Sequence, residues 1–165
     1  MSKRLTHLKD NGSPHIVDLS VKRTTQRMAQ AEGWILLSNE TIEEIANGGT
    51  KKGNVLLIAQ LAGICGAKKT SDLIPLCHPI PIDSVSVELE IVRPRGVRVF
   101  AEVRNEWKTG VEMEALTAVT TAALCVYDMI KAIQKDAMIT DIRLIYKEGG
   151  KSGVYGIKNK PKEKT

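Results

Sequence analysis

The sequence predicts an α+β fold, a ferredoxin-like sandwich in which an antiparallel sheet carries helices packed on one face. Three observations carry that expectation. Residues 85–103 alternate apolar and polar on both sides of Pro94-Arg95-Gly96; a long helical period runs over residues 112–134; and the elements follow the order strand, helices, strand, strand, helix, strand. At 165 residues and 42% hydrophobic content, the chain is one ordinary domain with enough apolar material for a core.

Residues 1–22 contain Asn11-Gly12, Pro14 and polar residues without a sustained period, and so form an irregular N-terminal arm that needs other surfaces to order it. Residues 24–37 read as extended and end in the apolar run Trp34-Ile35-Leu36-Leu37. Ser38 or Asn39 caps a short helix through Ala46, which Asn47-Gly48-Gly49 stops, and Thr50-Lys51-Lys52-Gly53 follows as a basic loop. Asn54 opens a second helix, Val55 to Lys69, which is apolar on nearly every side, carries Gly63 and Gly66, and is expected to be buried all round.

Next comes the hairpin. Val85, Val87, Leu89 and Ile91 alternate with Ser86, Glu88 and Glu90, and Val97, Val99, Ala101 and Val103 continue after the turn. Residues 112–134 form the longest helix, and Ile139 to Tyr146 gives the last strand before Gly149-Gly150. A single catalytic α+β domain is thus expected over 23–155. Residues 156–165 form a basic tail, expected to be disordered, with no apolar partner positions from Lys158 to Thr165.

That tail holds much of the charge. Four lysines against Glu163 place +3 of the formal +5 in the last eight residues, leaving the body mildly basic. Aromatics are scarce, with Phe100, two Trp and three Tyr, so the core must be built from Val, Ile, Leu and Ala in close contact. Cys65, Cys77 and Cys125 are odd in number and far apart, which suits reduced thiols in the cytoplasm. No apolar stretch follows the first basic residues and no apolar run reaches roughly 18 residues, so neither secretion nor membrane insertion is expected.

At about 100° per residue, Leu116, Val119, Ala123, Val126, Ile130 and Ile133 make one apolar stripe of the long helix, fit to lie on the sheet. The opposite side stacks Glu114, Thr117, Thr121, Asp128, Lys131 and Lys135, interleaved with Leu124 and alanines. A helix covered on both sides needs two partners, and the second is expected to be another subunit, which makes the protein a homo-oligomer.

Asp128 and Lys131 stand one turn apart, so a carboxylate and an ammonium can share a site and exchange protons with a ligand. By spacing alone the pair also reads as an ordinary helix-surface ion pair. His78 lies between Pro79 and Pro75-Leu76-Cys77, in a loop whose prolines restrict the direction of the imidazole, and it reads equally as a histidine that merely satisfies loop carbonyls. Adjacent Cys77 and His78 do not aim at one ion, and no further ligand stands at structural-zinc spacing, so no protein-bound metal is expected.

Lys51, Lys52, Lys68, Lys69, Lys147 and Lys151 fall at loop and element ends, where several cations could hold a polyanion; solvated lysines are the plain alternative for about half of them. Lys147-Glu148-Gly149-Gly150-Lys151-Ser152 resembles the end of a phosphate-binding Walker loop. The first glycine of that motif would fall at Ile145 and no helical pattern follows Ser152, which rejects a P-loop NTPase. Gly110-Val111-Glu112-Met113-Glu114 opens the long helix, with Glu112 read as an N-terminal charge and Glu114 as a substrate hydrogen-bonding group.

These segments resemble the cyclic pyranopterin monophosphate synthase family, the C protein of molybdenum cofactor biosynthesis. The likeness runs from His15-Ile16-Val17-Asp18 to Gly149-Gly150-Lys151-Ser152-Gly153. It is most specific in Asp72-Leu73-Ile74-Pro75-Leu76-Cys77-His78-Pro79 and Thr109-Gly110-Val111-Glu112-Met113-Glu114-Ala115-Leu116-Thr117-Ala118. The resemblance implies a lyase that converts a 3′,8-cyclic dihydroguanosine triphosphate, made from GTP by an upstream radical cyclase, into cyclic pyranopterin monophosphate and pyrophosphate. It implies Asp128, Lys131 and Lys52 as catalytic residues. Leu76, Cys77, His78, Glu112, Met113 and Glu114 are implied as substrate-binding, with Arg27, Lys68, Lys147 and Lys151 around the triphosphate and pterin. It also implies a hexamer, a trimer of dimers, with sites between subunits. No cofactor is indicated; magnesium could accompany the triphosphate, but nothing in the sequence points to it.

Two readings from other classes compete. A ferredoxin-like sheet can bind RNA through exposed aromatics, for which Phe100 is the one candidate on the hairpin, without an RNP-like string beside it. A purely structural oligomer would account for the two-sided helix but leaves the Cys77-His78-Pro79 loop without a purpose.

Overall fold

The computed structural model describes residues 7–9, 11–48 and 53–159. Its strands are β1 (Thr25–Leu36), β2 (Ser84–Val92), β3 (Gly96–Trp107), β4 (Met138–Glu148) and the short β5 (Tyr155–Gly156). They form one sheet of order β2-β3-β1-β4-β5 with every neighbouring pair antiparallel. The first four strands with their crossing helices make the expected ferredoxin-like α+β arrangement.

Four helices accompany the sheet: α1 (Asn39–Ala46), α2 (Val55–Lys68), α3 (Thr70–Leu73) and α4 (Glu112–Ile130). Ser38 caps α1 by accepting the Thr41 N–H at 3.2 Å, and Asn54 caps α2 by accepting the Leu57 N–H at 3.0 Å. Each cap satisfies an amide that the first turn leaves without a partner. The helix α4 ends at Ile130, short of the expected residue 134. The chain turns there through a bond from the Ile133 N–H to the Ile130 carbonyl, and the Tyr127 hydroxyl holds the Lys135 carbonyl at 2.8 Å. Ile133 is consequently exposed, while Val119, Ala123, Val126 and Ile130 are buried against the sheet.

Besides the sheet, α4 packs on α2 of the same chain, which covers Ala118, Thr121 and Ala122, while Leu124, Asp128 and Lys131 on the side expected to meet another subunit are exposed. Gly63 lies over the Ala118 carbonyl and Ala122, and Gly66 over Thr121, so closely that a Cβ on Gly66 would come within 2.4 Å of Thr121 Oγ1. Small residues let the two backbones approach. Nor is α2 buried all round. Val55, Ala59, Gly63, Gly66 and Ala67 face inward, but Leu57, Ile58 and Leu61 are exposed, because a helix apolar on every side still turns only one side to a given neighbour. By length and composition alone α4 could cross a membrane; half of it is buried inside this fold as the core helix.

Alternation along β1 sends Ala29, Ala31 and Ile35 toward the helices and Gln30 and Glu32 to the other face. That second face is also covered. Glu32 is gripped by Arg98 and Arg143, each at 2.6 Å, and the chain after β5 returns across Gln30, whose side chain bonds both the Asn159 carbonyl (2.8 Å) and its N–H (2.9 Å). Lys158 reaches Glu148 and the Tyr146 ring. The described chain is thus hydrogen-bonded to the sheet at Asn159, within the tail expected to be disordered, although residues 151–159 are exposed; Lys160, Lys162 and Lys164 lie outside the described residues. Phe100 is only 7% exposed, so it offers no stacking surface for a nucleobase.

Candidate functional site

The first turn of α4 meets the loop that follows α3. Between them opens a cavity of about 140 Å³ whose lining includes Leu76, Cys77, His78, Met113, Glu114 and Glu112. The loop is bent by a bond from the Cys77 N–H to the Ile74 carbonyl at 3.0 Å and is flanked by Pro75 and Pro79. His78 is held by its Nε2, 2.7 Å from the carbonyl of Val17 in the N-terminal arm. The two most specific segments of the sequence thus form opposite walls of one pocket.

Glu114 is 4% exposed, and burial is the main force that pushes its carboxyl up to about 7. Hydrogen bonding to backbone opposes this rise, and the charge of Glu112 adds to it. Burial likewise raises the Cys77 thiol, with the Glu114 charge as a second cause, so Cys77 is a neutral wall and no ready nucleophile. A carboxyl poised near neutrality can either give or take a proton, the property a general acid–base group needs.

A basic group adjoins the cavity mouth. Lys147 on β4 pairs with Glu112 at 3.2 Å and also bonds Ser152, which ties the loop after β4 to the start of α4. Gly149 and Gly150 take positive φ, and a Cβ on Gly150 would fall 2.2 Å from Arg27 Nη1, so only glycine lets the loop close on that guanidinium. Arg27 is oriented by the carbonyls of Trp107 (3.0 Å) and Lys108 (3.3 Å). Lys151 stands exposed on the turn closed by the Gly153 N–H and the Gly150 carbonyl. Arg27, Lys147 and Lys151 are therefore brought to the same end of the sheet.

Asp128 and Lys131 are not. They form an ion pair of 2.8 Å near the other end of α4, with side chains 58% and 55% exposed, and the bond to Asp128 raises the Lys131 ammonium. Fourteen residues of helix separate Asp128 from Glu114, about 21 Å at 1.5 Å per residue. Lys68 is exposed at the end of α2, where the chain enters α3, which itself packs on α4; the adjacent Lys69 pairs with Asp72 at 3.1 Å. Lys51 and Lys52 lie outside the described residues.

Sequence reasoning passes over His7, Ile80, Thr109 and Gly110, which also line the cavity, and the Val17 carbonyl. The arm shows no period, and a backbone acceptor has no signature in residue type. A larger groove of about 630 Å³ is lined by Arg27 but mixes Arg104 with Asp83, Glu106 and Glu148, a balance poorly suited to a polyanion. Among the described residues no three His, Cys, Asp or Glu side chains group closely enough to hold a metal ion.

Comparison with known proteins places these residues in context. A model of the MoaC family matches residues 16–150. A protein of Dinoroseobacter shibae named cyclic pyranopterin monophosphate synthase is 55% identical over 153 residues, 92% of this chain and 96% of its own length. Proteins of the same name from Corynebacterium glutamicum (50% identical; 95% of this chain and 99% of the relative) and Cereibacter sphaeroides (54%; 92% and 96%) are similar over nearly their whole lengths.

Proposed function

The chain belongs to the MoaC family, and on that premise we propose that it forms cyclic pyranopterin monophosphate, the product its curated relatives are named for, within molybdenum cofactor biosynthesis. It acts as a lyase on the cyclic dihydroguanosine triphosphate that a radical GTP cyclase supplies, and releases pyrophosphate. The observation that carries this reading is the meeting of Glu114, poised near neutrality, with the Leu76–His78 loop in one cavity, whose Glu112 is paired with Lys147.

In this reading the heterocycle enters the cavity against His78, Met113 and Glu114, and the triphosphate runs toward the basic end of the sheet. Arg27, Lys68, Lys147 and Lys151, with Lys52 from the basic loop, neutralise it through charge-assisted bonds. Holding the triphosphate fixed lets a ribose hydroxyl oxygen attack the α-phosphorus; that P–O bond forms as the bond to pyrophosphate breaks, and the hydroxyl proton passes to the departing pyrophosphate. Asp128 and Lys131 move protons during opening of the purine ring and closure of the pyran. Magnesium enters only as a counter-ion of the triphosphate.

One chain holds Glu114 and Asp128 about 21 Å apart, too far for one substrate to touch both through this cavity. We therefore place the site between copies of the chain, with Asp128 and Lys131 contributed by a neighbour in a homohexamer. The exposed Leu57, Leu61 and Leu124 supply apolar surface for such contacts. The three free thiols suit a reducing compartment, the cytoplasm.

The test is incubation of the purified chain with the cyclic dihydroguanosine triphosphate, without the radical enzyme, while pyrophosphate and the oxidised fluorescent pterin are followed. Both products should appear together and vanish in Asp128→Asn. Absence of both from the unaltered chain would overturn the reading.

A further inference from the structure

We propose that the N-terminal arm is a wall of this site: the Val17 carbonyl selects the tautomer of His78, and His7 is a further substrate-contacting residue. The inference rests on the reading that the cavity holds the substrate's heterocycle.

The arm reaches the cavity by a folded path. Its residues 7–9 and 11–15 pair with each other, with Leu8 bridged to Pro14, the Lys9 N–H on the Ser13 carbonyl (2.9 Å), the Gly12 N–H on the Lys9 carbonyl (2.9 Å) and the His15 N–H on the His7 carbonyl (3.0 Å). This pairing sets His7 on the lining beside Leu76, His78 and Met113. Farther along, the Ser20 carbonyl accepts from Lys108 Nζ at 3.1 Å, and Asp18 accepts the Ser20 N–H at 2.8 Å. Val17 is thereby fixed between two tethered segments.

Its carbonyl can only accept. The 2.7 Å contact therefore requires that His78 Nε2 carry the proton, and a neutral imidazole so bonded has its lone pair on Nδ1. Across the cavity, Glu114 in its protonated form is a donor. Since both residues line one small cavity, an Nδ1 acceptor and a Glu114 donor would match the N–H and C=O edge of a lactam heterocycle such as guanine, whereas the opposite tautomer would present two donors. The arm thus acts on the substrate directly through His7 and indirectly through His78, for which Val17 is a positioning group.

Two measurements on the full-length protein test this. The first is the nitrogen spectrum of imidazole-labelled protein at about pH 8.5, above the ordinary histidine range of about 6.5, with His78 assigned by the signal lost in His78→Gln. Protonated Nε2 and bare Nδ1 are expected; a protonated Nδ1 would overturn the tautomer claim whether or not the protein is catalytic. The second is calorimetric binding of the cyclic dihydroguanosine triphosphate. His7→Ala should weaken it about three- to tenfold, the value of one neutral hydrogen bond, raise KM alike and leave kcat unchanged, with His7→Gln recovering part. Unchanged binding in His7→Ala would remove His7 from the site. Loss of kcat with unchanged KM would also contradict a contact made in the ground state. A chain that binds but never turns over the substrate would sink the catalytic reading while both tests of the arm still decide.

Discussion

Asp128 stands on the same side of α4 as Glu114 but about four turns farther along, some 21 Å down the axis. A helical wheel superimposes the two; the axial rise separates them. Two groups so placed serve one substrate only if a second copy of the chain supplies one of them.

Complementation follows from that geometry. Asp128→Asn and Glu114→Gln should each lose at least about a hundredfold in turnover, as expected for proton-transfer groups. Co-expressed and assembled at random, the two should recover roughly a quarter of the wild-type rate, because half of all pairs are mixed and each mixed pair rebuilds one of two sites. No recovery in assemblies shown to be mixed would place both residues in separate roles.

Glu114 also makes stability depend on pH. Its folded carboxyl is raised from 4.5 to about 7, so the folded state holds the proton more tightly than the unfolded one. The favourable contribution is full below about pH 4.5 and is lost as pH rises through about 7. Glu114→Gln should remove this loss and be more stable than wild type at pH 8 by up to about 3 kcal/mol, since each tenfold difference in proton affinity between the folded and unfolded states is worth about 1.36 kcal/mol. Denaturant unfolding at pH 4 and pH 8 checks it; equal curves for the two proteins at pH 8 would count against a buried, poised carboxyl.

What can be read from the sequence is what lies in local period and local chemistry. The hairpin about Pro94-Arg95-Gly96, the strand ending at Trp34-Ile35-Leu36 and the caps Ser38 and Asn54 depend on neighbours in the chain, and the structure repeats them. The walls of the cavity are legible as unusual strings, Leu76-Cys77-His78 and Met113-Glu114, whose meeting depends on the α3–α4 contact. Composition does not say which neighbour covers an apolar side, and only the structure shows α2 of the same chain lying over Ala118, Thr121 and Ala122. The arm and the return of Asn159 to Gln30 escape such reading because both act through backbone groups common to every residue.

The sheet face away from the helices has its own pH dependence, of opposite sign. Burial would raise the Glu32 carboxyl, but the bonds from Arg143 and Arg98 outweigh it and leave it below the usual range. That stabilisation is present above about pH 4.5 and fades as pH falls through the folded value. Glu32→Gln should lose about 1–3 kcal/mol at pH 7, toward the low end because Arg143 is largely exposed, and converge with wild type in acid. A constant difference from pH 3 to pH 7 would mean that lost packing, and not charge, explains the variant.

The contact of Gly66 with Thr121 decides how closely α2 can lie on α4, and so where α3 and the loop carrying His78 are delivered. A new methyl at position 66 would stand 2.4 Å from Thr121 Oγ1 and 2.7 Å from its Cβ. The hydroxyl can rotate away; the Cβ is fixed to the backbone, so the helices must part. Alanine gains about 1 kcal/mol of helix propensity over glycine, whereas overpacking costs about 1–3 kcal/mol. Gly66→Ala should therefore be destabilised by up to about 2 kcal/mol net, and turnover should fall further than stability does as the loop shifts from Glu114. Thr121→Ala in the same chain removes the oxygen but not the Cβ, and should restore part of the loss, a coupling that thermal unfolding of both single variants and the double variant measures. If Gly66→Ala instead raises the melting temperature, propensity outweighs contact and the helices have room that their close approach denies.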